Sequence, residues 1–186
     1  AFLKTLDLKL SRAAAYQATV PVFGRGVIFD APPDKMKTQL KIQVDALRYQ
    51  NMVHYSTIIS KEVEDWIAGW GDEGVLDFLD EFLRLTLNTA THCLLGADFR
   101  YKLTDEFREL YHALEKGLQA IAFVDPYLQQ PIFAARDKAR ERLQEIIGGI
   151  IAERRATSGV EYGDALETFM AGTYADGSYL DDNEIT

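Results

Sequence analysis

Residues 20–30 read Val20-Pro21-Val22-Phe23-Gly24-Arg25-Gly26-Val27-Ile28-Phe29-Asp30. The stretch is apolar enough to be buried, yet Pro21, Gly24 and Gly26 interrupt any regular element drawn through it. Pro32-Pro33 closes it, so residues 11–33 are expected to form a long buried loop, and loops of that length inside a compact domain usually serve a function. What flanks the loop decides the fold. Immediately downstream, Pro33-Asp34 suits the first turn of a helix. Met36, Leu40, Val44 and Leu47 then recur at three-to-four spacing, which predicts one apolar face. Lys35, Lys37, Lys41 and Arg48 fall on the other faces.

The helical pattern continues to the end of the chain. Ser56 or Thr57 would cap a second helix carrying Ile59, Val63, Trp66 or Ile67, and Trp70, with Gly71 ending it. Residues 76–95 predict a longer helix with Leu79, Phe82, Leu83, Leu87, Ala90 and Leu94 on its buried side, stopped by Gly96. Thr104-Asp105 opens another through Leu110, Tyr111, Leu114 and Ile121, broken at Asp125-Pro126 because a residue before proline resists helical torsions. After a turn at Pro131, residues 136–155 form a strong helix with Ala139, Leu143, Ile147 and Ile150 facing inward. A short helix is expected over 163–171. Asp176-Gly177 predicts a tight turn or small hairpin over 174–180. Asp181-Asp182-Asn183-Glu184-Ile185 then reads as a helix start, with capping residues and first-turn acids. The expected fold class is all-α, with roughly seven helices in one partial domain. Its parts are a short helix over 1–10, the loop over 11–33, a helical region over 34–172, and a turn with the start of a truncated helix over 173–186. Both ends read as cuts through a larger fold.

Composition narrows the chemistry. Among 186 residues the formal net charge is −9, which argues against nucleic-acid binding, since phosphate backbones need clustered Lys and Arg. A single cysteine, Cys93, excludes an intrachain disulfide. No apolar run reaches the ~18–20 residues that span a bilayer, and a cytoplasmic location is expected. His54, His92 and His112 lack metal-ligand spacing, and Cys93 on an apolar face reads as an inert core thiol. Glu62, Glu64 and Asp65 read as carboxylates on a solvated helix face. Gly24-Arg25-Gly26 is no phosphate loop, and no Gly-x-Ser-x-Gly elbow occurs.

The pattern Tyr16-x-x-x-x-Pro21-x-Phe23-Gly24-x-x-Val27-x-Phe29-Asp30 resembles the loop signature of sterol 14-demethylases, a branch of the cytochrome P-450 haem-thiolate monooxygenases. The resemblance extends along the chain through Asp77-Phe78-Leu79, Leu95-Gly96-x-x-Phe99-Arg100, Val124-Asp125-Pro126-Tyr127-Leu128 and Asp182-x-Glu184-Ile185-Thr186. It implies a P-450-type helical fold, haem as cofactor, and a hydrophobic sterol-, steroid- or terpenoid-like substrate. It also implies oxidation that depends on O2 and NAD(P)H, with a ferredoxin or flavoprotein as electron donor.

Carried over by position, Tyr16 and Lys37 match contacts to haem propionates, while Ala18, Phe23, Met36 and Leu40 match substrate-side positions. Lys37 reads equally well as a solvated helix lysine, and Phe23, Met36 and Leu40 as plain core. Ala18 stands where that branch has an aromatic residue, and Met36 where a similar bacterial enzyme has arginine. The Phe-x-x-Gly-x-x-x-Cys loop that holds the family's iron does not occur. Two further matches are decoys: Glu81-Phe82-Leu83-Arg84 comes too early for the family's Glu-x-x-Arg, and Ala171-Gly172-Thr173-Tyr174-Ala175 lacks the threonine of its oxygen-activating motif. The chain alone is expected to be inactive and to self-associate through unpartnered apolar faces. The alternative is a non-enzymatic helical module that binds hydrophobic ligands.

Overall fold

The computed structural model describes residues 16–102, 105–157 and 159–186; the short helix expected over 1–10 lies outside them. The described residues are helical, and their only bridge between extended segments joins Thr173 and Tyr179. The expected loop is partly helical. Gln17–Thr19 make a 3-10 turn that runs into a single turn of α-helix, α1 (Val20–Phe23). Pro21 permits this because, at the second helical position, its missing N–H would have had no intrahelical acceptor. Residues 24–32 keep the irregular course.

The remaining helices are α2 (Pro33–Ala46), α3 (Tyr49–Ala68), α4 (Phe78–Leu95), α5 (Ala97–Lys102), α6 (Asp105–Lys116), α7 (Pro131–Ala156), α8 (Ala165–Met170) and α9 (Asp182–Ile185). The core is built on α7. Leu143, Ile147, Ile150 and Ile151 pack with Phe99 of α5, Phe107 of α6 and Leu166 of α8. The predicted inward stripe of α7, Ala139 included, is buried throughout. Each such aliphatic side chain contributes about 1.5–3 kcal/mol on removal from water. Pro131 opens α7 as its first residue instead of preceding it. A second cluster joins Ala18, Ala122 and Phe133, so the 3-10 turn rests on the start of α7 and on a 3-10 segment, Ala120–Phe123.

Two predicted faces are not the buried ones. On α2, burial falls on Gln39, Ile42 and Ala46, while Val44 is 66% exposed and Leu47 is exposed too. The reason is the partner: α2 packs against α8, and Gly172, just past α8, lies so close that a Cβ there would sit 2.6 Å from Ile42 Cδ1. On α4, Thr91 and Cys93 are buried, while Leu79 is 71% exposed and Phe82, Leu83 and Leu94 are exposed as well. Of the expected stripe, Leu87 reaches the core. Periodicity identifies an apolar stripe, and only a neighbouring element decides whether it is covered.

Two helices have limits other than those the cap and breaker residues predict. Ser56 and Thr57 lie inside α3, with their hydroxyls donating back to the Val53 and His54 carbonyls at 2.7 Å each. The helix therefore starts earlier, after Arg48, and ends at Gly69. Helix α6 stops before Gly117, well ahead of Asp125-Pro126. The stem of Arg136 runs directly against Gly117 and leaves no room for a side chain there: an added Cβ would meet Arg136 Cγ at 2.7 Å.

Glu62 overturns its sequence reading. It is only 5% exposed and ties three helices together, accepting from Arg100 Nε and Nη2 at 3.0 and 2.9 Å and lying 2.8 Å from His92 Nδ1. Glu64 and Asp65 are exposed as expected. The Glu81–Arg84 pair is an ordinary helix-surface contact at 3.2 Å, although Glu81 also accepts from Trp66 Nε1 at 2.8 Å.

A second staple lies under α7. Arg154 donates to Asp164 at 2.9 and 2.8 Å, to Asp98 at 3.1 and 2.6 Å and to the Leu95 carbonyl at 2.9 Å, with its guanidinium 3.9 Å from the Tyr162 ring centre. Gly96 makes this possible. Its φ of 89° is one that glycine alone adopts readily, and a Cβ there would land on Asp164 and Arg154.

Candidate functional site

The strap 16–30 folds back on itself and collects three aromatic rings. Phe29 packs on Tyr16, with centroids 5.3 Å apart, and on Phe23, at 4.8 Å. Offset rings at such distances gain more than their burial alone. The reversal needs positive φ at Gly24 (100°) and Gly26 (77°), and it is closed by Asp30, whose carboxylate accepts from Gly26 N at 3.2 Å. The backbone N–H groups of Asp30 and Ala31 both donate to the Val27 carbonyl, at 2.8 and 2.7 Å.

Behind the strap is a cavity of about 180 Å³. Phe23, Val27 and Phe29 of the strap form one side, and Phe169 of α8, Leu180 and Ile185 of α9 the other. A polar network closes its base. Gln39 Nε2 donates to the Gly26 carbonyl and to Tyr174 Oη, at 3.0 Å each. Tyr174 in turn donates to Glu184 Oε1 at 2.9 Å, and Lys35 Nζ reaches the same oxygen at 3.0 Å. Burial pushes the Glu184 carboxyl up, but the Asp181 N–H, Lys35 and Tyr174 outweigh it and hold the group below the usual carboxylate range. Burial, and then the Glu184 charge, pushes the Tyr174 phenol up against the opposing effect of Gln39. The network joins strap, α2, the turn and α9. Asn183 adds a second tie, donating to the Arg25 carbonyl at 3.0 Å and accepting from Arg140 at 3.0 Å.

The residues singled out by sequence do not converge on one spot. Tyr16 is half-buried against Phe29. Phe23 is exposed along one edge and lines the cavity. Ala18 is 1% exposed and belongs to the other cluster, with Ala122 and Phe133. Met36 is half-buried on α2, while Lys37 and Leu40 are exposed. Phe29 therefore links two of the six, Tyr16 and Phe23. Gln39, Tyr174 and Glu184 were not singled out. Only Glu184 carried a signal, as third residue of the capping box that Asp181 begins, with both reciprocal bonds formed.

Cys93 is buried, its Sγ 3.9 Å from the Tyr55 carbonyl, and burial, then the Glu62 charge, pushes the thiol up to about 11. It stays protonated at neutral pH and is a poor ligand in that state. Among the described residues, no three His, Cys, Asp or Glu side chains gather into a metal-binding group. No helix among them is long and apolar enough to cross a membrane.

With this geometry in hand, known proteins supply the context. The family model for cytochrome P-450 matches residues 6–186. Sterol 14-demethylase of Arabidopsis thaliana is 37% identical over 185 residues, covering 100% of this chain and 38% of the relative. Sterol 14alpha-demethylase of Mycolicibacterium vanbaalenii is 40% identical over 155 residues, covering 83% of this chain and 34% of the relative. A retinoic acid-bound cyanobacterial CYP120A1 structure superposes with a TM-score of 0.77 at 20% identity, covering 90% of this chain and 37% of that one. The chain thus spans little more than a third of the length of these relatives.

Proposed function

The chain belongs to the cytochrome P-450 family, and on that premise we propose that it is the substrate-cavity part of a monooxygenase acting on a sterol-like molecule. The observation that carries the reading is the aromatic strap, Tyr16, Phe23 and Phe29 held by Gly24 and Gly26 over an apolar cavity. Cavities that take such ligands are mostly apolar, with a few fixed polar groups.

Haem is the cofactor of the proposed parent. The Tyr16 phenol and the Lys37 ammonium are the donor types that a propionate carboxylate takes, so this chain's residues suit the rim of the group. Its iron is another matter: Cys93 is buried, protonated and turned to the Tyr55 carbonyl. We assign the iron ligand to the part of the parent that this chain does not include, and the chain alone is inactive on this reading. When bound, haem-thiolate supplies the activation of O2 that oxidises an unactivated carbon.

This chain's residues contribute binding and exclusion of water. Phe23 presents apolar surface to the substrate from the cavity behind the strap, and Met36 and Leu40, which lie on α2 outside that cavity, meet the substrate only where it extends beyond it. Ala18, packed on Ala122 and Phe133, shapes the cavity through the position of the turn that carries it. Electrons from NAD(P)H arrive through a ferredoxin or flavoprotein. We extend the reading to a cytoplasmic parent, and recovery of the parent in the membrane pellet on fractionation refutes that part.

The test is a carbon monoxide difference spectrum of the reduced complete parent polypeptide. A thiolate-type Soret band is the expected result. A folded parent with no such band refutes the reading. The isolated chain is expected to associate through the exposed Phe78, Leu79, Phe82 and Leu83 of α4. Light scattering should then show oligomers that Leu79→Lys with Phe82→Lys disperses; a monomer at micromolar concentration refutes this.

A further inference from the structure

Among the described residues, Arg140 of α7 has no carboxylate in ion-pair contact. Its Nη2 donates to Asn183 Oδ1 at 3.0 Å. Asn183 is itself fixed, accepting from Gln144 Nε2 at 3.2 Å and donating to the Arg25 carbonyl at 3.0 Å. Gly24 makes room for the guanidinium, since a Cβ there would sit 2.5 Å from Arg140 Nη2. One edge of the guanidinium is thus held in place. None of its other donors is a buried atom without a partner, so they meet solvent at the open cleft that the side chain lines.

That cleft lies between α1, α7 and Asn183 of α9, with a volume of about 440 Å³, inside the roughly 300–1,000 Å³ of small-molecule pockets. It shares no lining residue with the cavity behind the strap. Arg25, exposed and likewise without a carboxylate in ion-pair contact among the described residues, also lines it. Two carboxylates border the same space. Asp137 is neutralised by Arg136 at 2.7 Å, which leaves Glu141 against the two arginines and a local excess of one positive charge in a chain of net charge −9. That excess suits a monoanion, and the planar donor fork of arginine matches a carboxylate. Val20, Pro21 and Tyr127 add apolar surface for the body of such an acid.

We propose that this cleft binds the carboxylate of a small organic acid, held by Arg140 from α7 and Arg25 from the strap. The carboxylate belongs either to a short free acid or to an amphipathic one whose chain lies on Val20, Pro21 and Tyr127. Binding ties the strap to α7 across the cleft, and it involves neither haem nor turnover, so it stands apart from the monooxygenase reading.

The test is a titration of the complete parent polypeptide with octanoate, acetate and octan-1-ol, which keeps the chain but carries no charge. Occupancy of the cleft is read from the methyl resonances of Val20, and that of the cavity behind the strap from those of Ile185. Octanoate is expected to shift Val20 and to bind about tenfold tighter than octan-1-ol, the scale of a charge-assisted hydrogen bond. Arg140→Gln should weaken octanoate about tenfold, and Arg25→Gln, at an exposed position, about threefold. Glu141→Gln removes the opposing charge and should tighten binding about threefold, a gain that a merely structural role for these side chains does not produce. If Arg140→Gln does not fold, the opposite signs of the two exposed variants decide. A Val20 shift with octanoate but none with acetate supports the proposal and assigns an amphipathic acid; a shift with both supports it and assigns the carboxylate alone. Equal binding of octanoate and octan-1-ol overturns the proposal. So does a shift at Ile185 without one at Val20, or no binding by either acid.

Discussion

Replacing Arg154 by Met should be among the most damaging single changes to this fold. The guanidinium has five donor contacts, four of them to the carboxylates of Asp98 and Asp164 and one to the Leu95 carbonyl. Both Arg154 and Asp164 are buried. Methionine fills most of the volume but leaves the Asp164 charge buried, with the Glu167 N–H as its remaining donor. Removing one partner of a buried ion pair costs about 3–5 kcal/mol. In a domain of this size that lowers the melting temperature by about 6–20 °C, at about 2–4 °C per kcal/mol.

The partner variant separates the charge from the packing. Asp164→Asn keeps a side-chain oxygen to cap α8 and removes the stranded charge. The double variant Arg154→Met with Asp164→Asn should therefore be more stable than Arg154→Met alone. Urea denaturation followed by helical circular dichroism measures all three. A loss below about 1 kcal/mol for Arg154→Met, or a double variant less stable than the single, refutes the argument that a stranded charge sets the cost. The staple also has a pH signature. Burial pushes the Asp98 carboxyl up, but Arg154 and the Phe99 N–H outweigh it and hold the group below its usual value. A depressed pKa means that the stabilisation is complete above the unfolded value of about 3.9 and is lost as pH falls through the folded one.

Gly96→Ala should cost at least about 1–3 kcal/mol, because it combines a strained φ with a collision into the same staple; a melting temperature unchanged within a degree would contradict that geometry. Glu62→Gln keeps the shape but gives up the charge-assisted bonds to Arg100, at a cost of about 1.5–3 kcal/mol. Burial raises the Glu62 carboxyl, but Arg100 and His92 outweigh it and hold it low. The wild type should therefore lose stability below about pH 4.3 in a way that Glu62→Gln does not; parallel acid titrations would show the reasoning wrong. Cys93, buried and with its thiol pushed up to about 11, should resist iodoacetamide at neutral pH until urea unfolds the chain; rapid labelling of the folded protein would mean that the site opens.

Local signals in the sequence suffice wherever one turn of chain contains the whole cause. Gly96 terminates α4. Asp181 and Glu184 build their capping box across three residues. Asp176-Gly177 turns the chain, with Gly177 donating to the Tyr174 carbonyl at 3.0 Å. The stripe of α7 is long and regular enough for periodicity alone to locate the core. The aromatic signature of the strap was legible as well, because its residues are near neighbours whose glycines set the turn.

What the sequence by itself determined was therefore the all-α class, most helix limits, the central helix of the core, and the family, all carried by spacings of a few residues. Tertiary structure alone decided which stripes are covered, why Glu62 is an interior ion-pair centre and not a solvated carboxylate, and how the candidate cavity is assembled. Gln39, Tyr174 and Glu184 meet across separations of 135 and 145 residues. No local period records such a meeting. It follows from the docking of α8 on α2, which Gly172 permits by leaving room for Ile42 and Leu180 where a side chain would stand.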